Sequence, residues 1–111
     1  MRTFVRGCIA SLTILCVWIA AGRLPAQGNP QGEQIFTEKA APPCALCHTL
    51  KAANSSGTIG PDLDELKPSV EQVRRAVKNG VGIMPAYGET LSDAEITAVA
   101  EYVANAVGGQ K

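Results

Sequence analysis

Aromatic residues are scarce in this chain: two Phe, two Tyr and one Trp among 111 positions. Histidine is scarcer still and occurs once, at His48. Neither charge is in excess, since ten Lys and Arg balance ten Asp and Glu. That balance argues against a nucleic-acid binder, whose footprint is basic. Charged residues are only 18% of the chain against 46% hydrophobic, too apolar a mixture for a disordered segment. No uncharged apolar run reaches the ~20 residues that span a bilayer. No period-2 alternation marks a strand, and no internal repeat recurs.

The longest apolar run, Cys8 to Ala21, lies near the start, behind Arg2 and Arg6. Its length of about 14 residues suits the h-region of an export signal and is short for an anchor. Ala20, Ala21, Gly22 and Ala26 offer small residues for cleavage, with the cut expected after Ala26. Leu15 before Cys16 does not fit a lipoprotein, and the two arginines are not a twin pair, so export of an unfolded chain is expected. The expected organisation is therefore a signal peptide, 1–26, and one domain, 27–111.

Removing the leader changes the account. The remaining 85 residues hold seven basic and ten acidic groups, a net of −3. The only Trp and two of the four cysteines leave with it. Cys44, Cys47, His48 and Met84 stay. A domain this small, with three aromatic residues, buries too little to be stable without a staple. A bridge between Cys44 and Cys47 would close a tiny loop and hold nothing distant together. A large cofactor is the expected staple.

Capping signals outline the elements. Asn29-Pro30 starts a helix expected over 30–40, with Ile35 and Phe36 on its apolar side, ended by Pro42-Pro43. A short helical stretch is expected over 44–50, and a loop over 51–67, where Asn54, Ser55, Ser56, Gly57, Gly60 and Pro61 are turn formers. Ser69 and Gln72 form a capping box ahead of Val70, Val73 and Val77, and Gly80 stops that helix. Residues 80–90 carry three glycines and a proline and are expected to be irregular. Ser92 and Glu95 cap the last helix, Leu91 can staple onto Ile96, and Ile96, Val99, Ala100, Val103 and Val107 keep helical spacing to Gly108. The expected fold class is all-α.

The chemistry sits in Cys44-Ala45-Leu46-Cys47-His48. C-x-x-C-H is the attachment signal for c-type haem. Two thiols three positions apart on a helical turn face the same way, so each can add to one vinyl of a porphyrin edge, and the next residue brings an imidazole to the iron. Zinc needs four ligands, usually from two such pairs, and only one pair and one His remain. A dithiol redox site needs a βαβ setting, and these flanks are helical and proline-rich. Met84 is the second candidate ligand. A lone Met usually fills a core, but this one lies in a glycine-rich loop stiffened by Pro85, and a thioether is a suitable soft ligand for haem iron.

With these residues in view the chain resembles small bacterial monohaem class I cytochromes c. Gly32 and Phe36 precede the haem motif, Gly60-Pro61-x-Leu63 follows it, and the Met84-Pro85 strap and L-S-D-x-E-I leading to Ala100-x-Tyr102-Val103 complete the pattern over residues 30–107. More narrowly, CALCHTL, GPDLDEL and GIMPAYG resemble periplasmic cytochromes that serve as redox partner or subunit of a sulfite dehydrogenase. The resemblance implies N- and C-terminal helices that cross, with short helices and loops wrapped around one haem c bound through Cys44 and Cys47. It implies axial ligation by His48 and Met84, with the Pro61 carbonyl accepting a hydrogen bond from the other nitrogen of His48. Gly32 would let the end helices approach, with Phe36 against Val99 and Tyr102. Tyr87 would either reach a propionate or cover the ring edge. The mature chain lacks the Trp that many family members place near a propionate.

The function so implied is a soluble periplasmic one-electron carrier, not an enzyme. Its expected partners are a dehydrogenase or quinol-oxidising complex and a terminal oxidase, without a membrane anchor. Ile83, Ala86 and Ala45 are the expected rim of the electron-transfer surface, with docking mainly apolar because Lys39, Lys51, Lys67, Lys78 and Lys111 are scattered. Two alternatives are a non-catalytic haem subunit of a sulfite-dehydrogenase-type enzyme and, should Met84 not bind iron, a five-coordinate ligand-binding haem protein.

Overall fold

The structure is a computed structural model and describes residues 29–109. The expected signal peptide lies outside the described residues. The first helix, α1 (Pro30–Gln34), has Pro at its first turn and continues as a wider π turn over Ile35–Lys39. The amide of Ala40 closes that turn on the Ile35 carbonyl at 3.1 Å. Two further helices follow the expected caps: α4 (Val70–Asn79) and α5 (Asp93–Val107). Ser69 and Gln72 form a complete reciprocal box at the start of α4. At α5 only half of the expected box forms. Ser92 accepts from the Glu95 amide, but the Glu95 carboxylate is taken by the Ser92 hydroxyl and by Lys39 Nζ, 2.7 Å away.

The packing centre is the crossing of α1 and α5. Gly32 is required there: a Cβ would collide with the Ala98 carbonyl and with Tyr102 Cβ. Asn29 fastens the same corner. Its Oδ1 accepts from the Gly32 amide at 3.1 Å, and its Nδ2 donates to the Ala98 carbonyl at 3.0 Å. Phe36 and Tyr102 meet with ring centroids 6.0 Å apart and planes tilted by 57°. Ile35, Phe36, Ile96, Val99 and Val103 are fully buried, and α5 buries seven residues in all.

Two expectations in the middle of the chain are corrected. The helix α2 covers Cys44–Cys47 only, not 44–50. His48 leaves it with φ −111° and ψ 141°, and Thr49–Leu50 (β1) then pairs antiparallel with Ser55–Ser56 (β2). A short 3₁₀ turn over Lys51–Ala53 and a left-handed Asn54 (φ 52°) reverse the chain between them. The ladder is locally reinforced, because the Leu50 amide donates to Ser55 Oγ at 3.0 Å. Two-residue strands are too short to show a period, so the all-α expectation holds for the architecture but not for this hairpin. The stretch 51–67 also contains a single-turn helix, α3 (Leu63–Leu66). Asp62 caps it by accepting from the amides of Asp64 and Glu65. Among the described residues no helix is long and apolar enough to cross a membrane.

Candidate functional site

Between α2, α4, α5 and the connecting loops lie two adjoining apolar cavities, of about 230 and 380 Å³. Cys44, His48, Leu66, Ala76 and Met84 line both. The inner one reaches Phe36, Val77, Val99 and Val103 at the helix crossing; the outer one adds Cys47, Pro61 and Tyr87. All five residues expected at the site, Cys44, Cys47, His48, Pro61 and Met84, therefore lie around the outer cavity.

The helical turn of α2 sets Cys44 and Cys47 half-buried along this cleft. Burial pushes the Cys44 thiol up to about 11, with Cys47 adding to it and a backbone hydrogen bond opposing it. A thiol held so firmly in its protonated form lacks the low pKa of a redox dithiol.

The imidazole of His48 is fixed by its own loop. Its Nδ1 donates to the Pro61 carbonyl at 2.8 Å, so in the neutral imidazole Nε2 is the nitrogen left to act as a ligand. Gly60 lies against the ring, where a Cβ would stand 2.6 Å from Cε1. The Gly60 amide also donates to the Cys47 carbonyl at 2.7 Å. Gly57 backs the same turn, for a Cβ there would meet the Cys47 carbonyl carbon at 2.6 Å. Sequence reasoning had Gly60 in a motif but gave neither glycine a place in the site. The available signal was the pair of glycines within four residues of Pro61.

Met84 sits on a strap running from Gly80 to Gly88. The strap turns at Gly80 (φ 74°) and Gly82 (φ 55°), and Met84 and Val81 exchange backbone hydrogen bonds of 2.9 and 3.2 Å. Tyr87 ends it, buried, with its hydroxyl donating to the Pro42 carbonyl at 2.7 Å. The structure thus gives the Tyr87 hydroxyl a backbone partner, the Pro42 carbonyl. Burial raises its pKa, so it remains a donor. The expected rim is partly corrected. Ile83 is 84% exposed, whereas Ala45 packs on the core, and the exposed residue of α2 is Leu46. Ala86 is exposed but does not line the cleft. Ile59, Leu66 and Val81 join Ile83 at its mouth.

An apolar cleft lined by two cysteines, a histidine and a methionine fits a porphyrin attached by thioether bonds. These are the features of a c-type haem protein. The comparisons with known proteins agree. The sequence profile of the family described as "Cytochrome C oxidase, cbb3-type, subunit III" matches residues 27–103. Cytochrome c6 of Gracilaria tenuistipitata var. liui is 42% identical over 82 residues, which are 67% of this chain and 68% of that protein. Cytochrome c6 of a Picosynechococcus species is 36% identical over 107 residues, covering 86% and 88%. The crystal structure of the c-type cytochrome SorU from Sinorhizobium meliloti superposes with a TM-score of 0.70 at 52% identity, covering 74% of this chain and 93% of that one. The chain belongs to the cytochrome c family, as a small monohaem class I member. Its cofactor is one haem c, bound covalently through Cys44 and Cys47, and it is an electron carrier and not itself an enzyme.

Proposed function

We propose that His48 and Met84 are the axial ligands of the haem, and that the protein is an exported, periplasmic one-electron carrier. The haem, when bound, supplies the ferrous/ferric couple. The chain's own residues hold it and limit its surroundings. The His48–Pro61 bond, together with Gly60 on the ring, orients Nε2 and raises its basicity. The strap presents the Met84 thioether, a ligand that raises the reduction potential. With His48 and Met84 both holding the haem, the protein itself would fill the positions a substrate could otherwise take. The apolar lining excludes water, and a site that reorganises little suits rapid electron exchange.

The observation that carries this reading is the His48 Nδ1 to Pro61 bond in a cleft also lined by Met84. The test is the Met-to-ferric-iron charge-transfer absorption of the oxidised holoprotein. It is expected in the parent and lost in Met84→Ala. Its absence from the parent would mean that Met84 does not bind the iron and would overturn the carrier reading in this form. A haem-stained denaturing gel of periplasmic extract, with the mature N-terminus, tests export and the cut after Ala26.

Ile59, Leu66, Val81 and Ile83 form the docking rim in this proposal, supported by their exposure around the cleft. A periplasmic dehydrogenase or quinol-oxidising complex would be the electron donor and a terminal oxidase the acceptor.

A further inference from the structure

The strap that carries Met84 is attached unevenly. On one side the backbone of α4 holds it three times: the amides of Gly80, Tyr87 and Gly88 donate to the carbonyls of Ala76, Val77 and Lys78 at 2.8, 2.8 and 3.2 Å. On the other side stands the segment that leads into Cys44. Among the described residues, a single hydrogen bond joins the strap to that segment, from the Tyr87 hydroxyl to the Pro42 carbonyl. It spans 45 positions of sequence at 2.7 Å, on a side chain only 4% exposed. The Tyr87 carbonyl is also used, accepting from the amides of Thr90 and Leu91 at 3.1 and 2.9 Å. Tyr87 and Pro42 both line the outer cavity beside Met84.

We propose that Tyr87 is a positioning residue: its hydroxyl latches the free side of the strap to the segment before Cys44 and so keeps the Met84 thioether at the iron. The inference rests on the reading of Met84 as a ligand. With the α4 side tied by backbone bonds, the strap can swing only by giving up the latch. The bond is part-buried, from a buried tyrosine to an exposed proline, so opening it gives up a 2.7 Å contact that water at Pro42 only partly replaces. Opening exposes the iron to small outside ligands, so the latch sets how readily they enter.

The test is imidazole binding to the ferric holoprotein, followed in the absorption spectrum. Tyr87→Phe keeps the ring and its packing and removes only the hydroxyl. It should speed imidazole entry roughly tenfold, the scale of one lost hydrogen bond, while its charge-transfer band weakens. Tyr102→Phe is the control, since Tyr102 is equally buried, belongs to the helix crossing, and its hydroxyl has no partner among the described residues. It should leave imidazole entry unchanged. A parent that shows the band, with Tyr87→Phe entering at the parent's rate, overturns the latch and leaves Met84 ligation standing. A parent without the band overturns the ligation reading, and the latch with it. The unaltered protein offers a second measurement that does not depend on the variant folding. The Tyr87 hydroxyl proton should exchange slowly with water and show a nuclear Overhauser contact to Pro42. A rapidly exchanging proton there overturns the proposal.

Discussion

His48 is held by a glycine as much as by its hydrogen bond. The carbonyl it uses belongs to the backbone of Pro61, so the proline ring itself is not the acceptor. Gly60, in contrast, offers no room at all on the imidazole face. Gly60→Ala should therefore damage the site more than Pro61→Ala. The added methyl must tilt a ring pinned at Nδ1, and overpacking of this kind costs about 1–3 kcal/mol. The expected readouts are a severalfold lower holoprotein yield by haem staining and a lower melting temperature for Gly60→Ala, with Pro61→Ala close to the parent. The opposite ranking would show that the proline ring and not the glycine positions the ligand. The thiol pair, the imidazole and the lone methionine were legible in the sequence because their signal is local spacing and rarity. The contacts of Gly60 with His48 and of Tyr87 with Pro42 were not, because nothing in the neighbourhood of either residue announces a partner 12 or 45 positions away.

At the scale of elements, caps carried the reading and short pieces defeated it. Ser69 with Gln72 announces α4 from four consecutive residues, and Asn29-Pro30 announces α1. The single turn of α3 and the two-residue strands have no period to detect. The π turn of α1 hides in a sequence that still looks helical. The half-formed box at α5 has a physical cause, since Lys39 on the π turn draws the Glu95 carboxylate across to the first helix. That contact, first of all, holds the Glu95 carboxyl below its ordinary value. A lowered carboxyl pKa contributes stability that is complete above the ordinary carboxylate range and is lost as pH falls through the lowered value. Lys39→Met should therefore melt slightly below the parent near neutrality, by the small amount a partly exposed pair is worth, and converge on the parent as pH falls below about 4.5, giving a flatter acid limb. Thermal melts of the two proteins across that range would check it, and identical acid limbs would assign the acid sensitivity to other carboxylates.

Without its expected leader the chain is mildly acidic, and among the described residues no cation lines the cleft. Three cations lie together on α4, where Arg74 and Arg75 share Glu71 at 3.4 and 3.8 Å and Lys78 reaches Asp93 at 3.4 Å. The mouth of the cleft is instead apolar, through Ile59, Leu66, Val81 and Ile83. Electrostatic steering should accordingly be modest. The second-order rate of electron exchange with a purified partner should change less than about threefold between low and physiological salt. A steep fall would reveal a charged docking face that the apolar rim does not supply. The global arrangement was legible only through the resemblance. Apolar faces on the end helices could be counted in the sequence, but that they cross at Gly32 follows from the missing Cβ in three dimensions.

The corner made by Asn29, Gly32, Ala98 and Tyr102 also has a kinetic meaning. Its hydrogen bond joins positions 69 apart. Everything from Pro42 to Tyr87, including both thiols, the imidazole, the strap and the latch, hangs between those two points as one closed loop. Loop-closure entropy grows only slowly with length, so a single meeting of the end helices removes most of the search left to the residues between them. This is the hydrogen bond of longest sequence separation among the described residues, and the rate at which the protein folds should depend on how often its two ends find each other.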